Sequence, residues 1–300
     1  MTTDDTACLR TVRDLLRYAT SRFNEAGLAF GHGSDNAFDE AAYLILHSLH
    51  LPIDRLEPFL DARLTPPEIE ATLTLIHNRI EKRLPAAYLT QQAWLGEFSF
   101  YVDERVIVPR SHIAELLNEQ FSPWISDPDS VRHCLDLCTG SGCLAILLAH
   151  AFPEAIVDAT ELSDGALEVA RRNVDEYGLQ DRIRLRRGDV YGDLNGPYDI
   201  IVSNPPYVDA SAMSSLPAEY RAEPEMALAA GEDGLDVIRR IIDEAASYLS
   251  PAGILIVEVG RDRPAIEKAY PDLPFVWLET RAGEDLVFLL AAGDLRAGSR

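Results

Sequence analysis

The segment from His133 to Ala149 constrains the fold of this chain more than any other. His133-Cys134-Leu135-Asp136-Leu137 is an apolar run of strand length, and Cys138-Thr139-Gly140-Ser141-Gly142-Cys143 follows as a tight loop. Leu144 to His150 then reads as an apolar helix. Strand, glycine loop and helix in that order open a nucleotide-binding α/β unit. Gly140 and Gly142 let the backbone approach a ligand because no Cβ intervenes.

Three more apolar segments end in residues suited to a ligand. Ala155 to Thr160 ends at Glu161, whose carboxylate can accept from both hydroxyls of a ribose. Arg182 to Arg187 ends at Gly188-Asp189, and Asp189 is suited to an adenine amino group. Tyr198 to Ser203 reads as a buried strand that ends at Asn204-Pro205-Pro206-Tyr207. Two successive prolines force a turn there. The carbonyls of Asn204 and Pro205 are left as acceptors beside an amide and an aromatic ring, a set that suits a planar nitrogen-bearing group. Ligands of open α/β sheets sit outside the carboxyl ends of the strands, where all four elements finish. Gly140-x-Gly142-x-x-Ala145, with Glu161 about twenty residues on, satisfies a dinucleotide fingerprint. S-adenosylmethionine fits better, since Asp136 precedes the loop where it can face a cationic amino-acid end.

The set Asp136 to Gly142, Glu161-Leu162-Ser163, Gly188-Asp189-Val190-Tyr191, Asn204 to Tyr207, and Glu223-Pro224 with Gly231 to Leu235 resembles the class I S-adenosylmethionine-dependent methyltransferases. More narrowly, it is similar to the protein-(glutamine N5) methyltransferases. The resemblance spans nearly the whole chain, including Val102 to Arg110. It implies a Rossmann-like, mostly parallel sheet with one antiparallel strand, plus a small N-terminal helical domain. It also implies S-adenosylmethionine bound by Asp136, Thr139, Gly140, Ser141, Gly142, Glu161, Leu162, Asp189, Val190 and Asn204. Asn204, Pro205, Pro206 and Tyr207 become the catalytic residues. Phe100 and Arg110 join Asn204, Pro205 and Tyr207 at the acceptor: an aromatic of the preceding hairpin, Phe98 or Phe100, lies near the transferred methyl in this family, and Pro109-Arg110, directly after the hairpin, is expected to border the cofactor.

Within the family, release-factor enzymes follow Pro-Arg with Pro-Glu/Asp-Thr-Glu. Here Pro109-Arg110 is followed by Ser111-His112-Ile113-Ala114-Glu115. That pattern, with Gly31-His32-Gly33-Ser34-Asp35-Asn36, resembles the branch that modifies a glutamine of large-subunit ribosomal protein uL3. Ribosomal protein uL3 is therefore the expected substrate and partner. Release factors, amino groups of nucleic-acid bases and a non-catalytic ribosome-assembly role stay open as alternatives. Cys138 stands where many methyltransferases have Gly, and Glu161 where Asp is commoner. His32 and His112 are expected to cap or pack.

The expected chemistry is direct transfer. The Asn204 side-chain oxygen and the Pro205 carbonyl would accept the two N–H groups of the acceptor amide, with Tyr207 stacked on its plane. Such acceptors stabilise positive charge as it grows on nitrogen. No general base is evident, and none is required, because the methylated nitrogen is strongly acidic.

Composition narrows the class further. The 300 residues carry a formal net charge of −22, which argues against a nucleic-acid binder and favours basic protein partners. A salty habitat or plain solubility would explain the charge equally well. No apolar run approaches the ~18 residues a membrane span needs. The first five residues lack a secretion-signal pattern, and the cytoplasm is the expected compartment. Cys134, Cys138 and Cys143 lack zinc-site spacing and read as buried small residues, so no metal is expected.

Three regions are expected: a helical substrate-recognition domain over 1–90, a β-hairpin linker over 91–112 and the methyltransferase domain over 113–300. Leu9, Val12, Leu16 and Ala19 form one helical stripe, and Ala41, Leu44, Ile45 and Leu49 another. Thr65-Pro66-Pro67-Glu68 starts a third helix with a stripe of Ile69, Leu73, Ile76 and Ile80, stopped by Pro85. Trp94 to Val108 reads as a hairpin turning at Asp103-Glu104-Arg105. Ser163 caps a helix through Leu167, Ala170, Val174 and Tyr177 that Gly178 ends. Asp209 to Gly234 reads as a long loop over the substrate. A helix through Leu235, Ile238, Ile242 and Ala245 precedes strands at Gly253 to Val259, Phe275 to Leu278 and Leu286 to Leu290, and a frayed tail begins at Arg296.

Overall fold

The computed structural model describes residues 6, 8–260 and 262–298. The expectation for the first five residues lies outside them. The chain divides into two compact units, one of residues 1–93 with 216–222, the other of residues 94–215 with 223–300.

The first unit is helical: α1 (Val12–Glu25), α2 (Ala37–Ser48), α3 (Pro66–Lys82) and α4 (Ala86–Thr90). Local chemistry sets the starts. Thr11 and Asp14 form a capping box on α1, and the Asn36 side chain accepts from the N–H groups of Phe38 and Asp39 on α2. On α3, the Glu68 carboxylate accepts from the N–H (2.7 Å) and the hydroxyl (2.8 Å) of Thr65. Val12, Leu15, Leu16, Ala19 and Phe23 pack against Ala41, Leu44 and Ile45, with Leu9 buried just ahead of α1.

The third stripe differs from expectation. Of Ile69, Leu73, Ile76 and Ile80 only Ile76 is fully buried, and Thr72 and Arg79 share its face. Arg79 donates to Glu40 (2.7 Å), to Glu219 (3.3 Å) and to the Ala29 carbonyl (2.8 Å). Glu219 belongs to the segment 216–222, which folds into this unit. It also accepts from the Ala29 N–H (3.1 Å) and lies 3.0 Å from Arg83. Beside it the His32 ring packs on Tyr220 at 4.2 Å, and a Cβ on Gly31 (φ +124°) would collide with the Tyr220 hydroxyl. His32 therefore packs, as expected. The helix ends at Lys82 with Arg83 left-handed (φ 58°), ahead of Pro85, which instead opens the unanticipated α4.

β1 (Gln92–Leu95) and β2 (Phe98–Tyr101) form a two-stranded ribbon. Its turn is at Gly96-Glu97, with Gly96 at φ +61°, and not at Asp103 to Arg105. Residues 102–111 form no strand. α5 (Ile113–Leu117) follows.

The remaining strands are β3 (His133–Leu137), β4 (Ile156–Glu161), β5 (Ile183–Arg187), β6 (Tyr198–Ser203), β7 (Leu249–Glu258), β8 (Val276–Trp277) and β9 (Val287–Ala291). They make one seven-stranded sheet in the order β5-β4-β3-β6-β7-β9-β8. β3, β4, β5, β6 and β7 run parallel, and β9 is antiparallel to both its neighbours. The helices are α6 (Cys143–Ala151), α7 (Asp164–Glu176), α8 (Ala210–Ser215), α9 (Asp236–Tyr248), α10 (Arg263–Ala269) and α11 (Ala292–Gly298). Alternate strand residues feed two cores. Cys134, Val157, Ile200 and Ile256 pack with α6, whereas Leu135, Leu137, Ile201 and Leu255 pack with α9. This is a mostly parallel sheet with one antiparallel strand flanked by helices, the architecture the resemblance implied.

Two expectations for the C-terminal half are corrected. The stretch 209–234 carries α8 and two single 3-10 turns, and its residues 216–222 belong to the first unit. α11 runs through Arg296, whose guanidinium donates to the Leu249 carbonyl (2.8 Å), so the expected tail is helical there.

Candidate active site

The chain leaves β3, runs outward through β4 and β5, and returns to β6 on the opposite side of β3. That reversal is the switch point where open α/β sheets bind ligands. Register brings its parts together, because Leu137 lies opposite Thr160 on β4 and Ser203 on β6. The residues that follow, Cys138, Glu161 and Asn204, therefore leave the sheet side by side, and all three line one cavity. Gly140, Leu162, Asp189, Val190 and Pro206 line it too.

Glu161 organises the glycine loop. One carboxylate oxygen accepts from the Gly140 N–H (2.9 Å), and the other from the N–H groups of Leu162 (2.8 Å) and Ser163 (3.0 Å). Its lone pairs are not exhausted by three bonds, so it can accept further. Asp189 pairs with Arg240 at 2.9 Å. Cys138 (φ 59°) and Val190 (φ 55°) hold left-handed backbone, which is costly for residues with a side chain and costliest for a β-branched one. Burial pushes the Cys138 thiol up, so it is a neutral wall of the cavity and not a nucleophile.

Asp136 does not line the cavity; it is buried under the loop. One of its oxygens accepts from the Thr139 hydroxyl at 2.5 Å, and the other is buried with no hydrogen-bond partner. Burial raises its pKa to about 7, opposed by the Thr139 hydrogen bond and by the nearby Ala145 backbone N–H, and aided by the charge of Glu161. Thr139, Ser141 and Gly142 also lie behind the cavity wall. Gly142 (φ +80°) starts α6, and a Cβ there would stand 3.3 Å from the Ala170 Cβ, so this glycine serves the contact of α6 with α7. The Ser141 carbonyl accepts from Asn173 (2.8 Å), which also brackets the Tyr101 backbone (2.8 and 3.0 Å).

At the end of β6 the Asn204 amide faces the cavity, and neither it nor the Pro205 carbonyl has a hydrogen-bond partner among the described residues. Tyr207 packs its ring on Gly260, where a Cβ would stand 2.8 Å from the ring. Val208 is bonded on both sides to the returning segment, through Leu228 (2.8 Å) and Ala230 (3.0 Å).

Two expected acceptor residues are elsewhere. Phe100 is buried in the core, its ring 5.8 Å from Tyr177, because the ribbon packs on α7 through Asn173 and Tyr177. Phe98 likewise packs on His150 and Tyr177. Arg110 is turned away from the cavity onto Glu223, in two contacts of 2.5 and 2.7 Å. The cavity also holds Arg105, Val106 and Ile107, from the Val102 to Arg110 segment that the resemblance covered without assigning them a role, and Pro224 of the Glu223-Pro224 motif. Met226 and Ala227, just after that motif, line it too and were not indicated by the sequence. Ser111 and His112 support a third buried carboxylate: Glu258 accepts from the Ser111 hydroxyl (2.6 Å) and the His112 N–H (2.8 Å). His112 occupies the N-cap position of α5 without a side-chain capping bond; the Ser111 hydroxyl accepts from the Ile113 N–H (3.2 Å), and the His112 backbone anchors on β7.

A family model described as Methyltransferase small domain matches residues 114–219. A ribosomal protein uL3 glutamine methyltransferase of Neisseria meningitidis serogroup A is 59% identical over 96% of this chain and 95% of its own. That of Burkholderia pseudomallei is 58% identical over 99% of both, and that of Bradyrhizobium diazoefficiens 52% over 96% and 92%. The chain belongs to the ribosomal protein uL3 glutamine methyltransferases. Its cofactor is accordingly S-adenosylmethionine, as the sequence motifs implied. Among the described residues no helix is long and apolar enough to cross a membrane.

Proposed function

We infer that this chain transfers a methyl group from S-adenosylmethionine to the side-chain amide N5 of a glutamine in ribosomal protein uL3. The substrate follows from family membership. The chemistry is carried by one observation: an unpartnered Asn204 amide and Pro205 carbonyl at the sheet's switch point.

The residues present fit the cofactor. The orphaned Asp136 oxygen is a buried acceptor awaiting a cationic donor, and Glu161 keeps capacity for a ribose diol. Leu162, half exposed on the cavity wall, offers apolar surface to a base, and the free oxygen of Asp189 an acceptor for its amino group. Thr139 orients Asp136, while Ser141 and Gly142 fix the loop to α7. When bound, S-adenosylmethionine supplies an electrophilic methyl on a sulfonium.

The chain's own task is to present the amide nitrogen. An amide lone pair is delocalised into its carbonyl, so the nitrogen is a poor nucleophile. The Asn204 oxygen and the Pro205 carbonyl accept its two N–H groups and orient the lone pair at the cavity. Both bonds strengthen as nitrogen becomes positive, which lowers the barrier more than it favours ground-state binding. Pro206 stiffens the turn, and Tyr207, seated on Gly260, supports its far side. After transfer the proton leaves an acidic nitrogen to water.

Labelled S-adenosylmethionine, offered with purified ribosomal protein uL3 and a release factor side by side, tests the reading. Mass spectrometry should place the label on a uL3 glutamine alone. Label on the release factor alone would overturn the substrate and keep the chemistry, and label on neither would overturn both.

A further inference from the structure

Three buried carboxylates hold the irregular stretch that follows the ribbon. Asp103 grips Arg105 through two contacts (2.9 and 2.6 Å), Glu223 takes Val108 and Arg110, and Glu258 takes Ser111 and His112. Glu223 differs from the other two, because it comes from a second irregular stretch that also lines the cavity. Val106 and Ile107 form one wall, and Ile107 lies 3.8 Å from where a Gly140 Cβ would be. Pro224 and Ala227 form another. Neither wall belongs to the sheet. The second is tied to Val208 at its far end through Leu228 and Ala230, so its near end depends on Glu223. The Glu223 side chain is fully buried, and it receives the Val108 N–H (2.9 Å) together with both terminal nitrogens of Arg110. A bidentate arginine–carboxylate pair fixes orientation as well as distance.

We propose that the Arg110–Glu223 pair is a clasp that positions the Val106–Ile107 and Pro224–Ala227 walls of the cofactor cleft relative to each other. Arg110 is then a positioning residue that acts through Glu223, and touches neither the cofactor nor the acceptor. The inference rests on the cavity being the S-adenosylmethionine site. Its consequence is specific: loosening the clasp leaves the Asn204 turn intact and costs affinity for the cofactor, since the two walls no longer stand preorganised.

The test uses the full-length protein, with S-adenosylhomocysteine affinity by calorimetry and steady-state kinetics on uL3. Removing one partner alone strands a buried charge, so the primary variant is the double change Arg110→Leu with Glu223→Gln. It leaves no charge unpaired and keeps an acceptor for Val108. It is expected to weaken S-adenosylhomocysteine and raise KM for S-adenosylmethionine about tenfold, the scale of lost preorganisation. Turnover at saturating cofactor and KM for uL3 should stay within about twofold. Arg110→Lys keeps the charge without the fork and should fall between. Wild-type affinity in the double variant overturns the clasp, as does a fall in turnover at unchanged affinity. Glu161→Ala separates the two readings. If it binds S-adenosylhomocysteine normally, the cleft assignment fails and the clasp with it; if it loses binding while the double variant does not, only the clasp fails.

Discussion

Asn204 makes no bond that the fold depends on, so replacing it removes chemistry and spares support. Asn204→Ala should lower kcat about 10²-fold, as loss of one transition-state acceptor does elsewhere. The melting temperature should barely move, and S-adenosylhomocysteine affinity should fall far less than kcat. Asp136 makes a second prediction. Burial holds its pKa at about 7, well above the ordinary carboxylate value, so the folded chain keeps a proton there that the unfolded chain has lost. A cationic amino group prefers the ionised form. Affinity for the cofactor should therefore rise as pH increases from 6 through 8, roughly following one titrating group, and Asp136→Asn should flatten that dependence in calorimetry. The unfolded chain ionises at the ordinary value of 3.8 while the folded chain holds its proton to about 7, so this group's contribution to ligand-free stability should fall as pH rises between those values and level off above them, and added S-adenosylhomocysteine should restore stability at the upper end. Gly142→Ala places a Cβ in left-handed backbone against Ala170, and should cost about 1–2 kcal/mol in urea unfolding.

At the scale of elements, local chemistry was read well and partners were not. β6 spans the Tyr198–Ser203 run expected for it, and Ser163 does cap α7. Apolar run and cap are properties of neighbours in sequence. The ribbon was placed wrongly because buried alternation continues past Tyr101 through Val102, Val106 and Val108, although no strand pairs with that stretch. Gly96, at positive φ, was the turn signal that alternation outweighed. In α3 the expected apolar face is interrupted by Arg79, neutralised by Glu40 and by Glu219 from 140 residues away. Burial raises the Glu40 pKa against the pull of Arg79, the chief cation facing this carboxylate. Arg79→Leu should thus lose about 3–5 kcal/mol in chemical denaturation, the cost of breaking a buried pair from one side. Glu40→Gln in the same background should recover part of it.

For the whole molecule, the net charge of −22 acts on encounter more than on fold. With a basic ribosomal protein as acceptor, KM for uL3 should rise severalfold between ~50 and ~300 mM salt as screening shortens to a few ångströms. KM for the cofactor should change little, and a flat response for uL3 would assign the charge to solubility alone. The helical unit and the sheet were both anticipated. What was not is that residues 216–222, four residues short of cavity-lining Met226, fold with the helices. Periodicity reports which residues are buried, not which unit buries them.

The sequence by itself determined the strand–loop–helix order, the sheet class, the cofactor and the four strand ends that meet at the cavity. Each of these is written in contiguous residues, as a period, a cap, a glycine loop or a tetrapeptide. Only the tertiary structure decided that Phe100 belongs to the core, that Asp136 lies beneath the loop with one oxygen unpartnered, and that Arg110 closes on Glu223. The last pair is separated by 113 residues. Contacts of that span form when strand register and packing bring distant segments together, and no local pattern of residues encodes them.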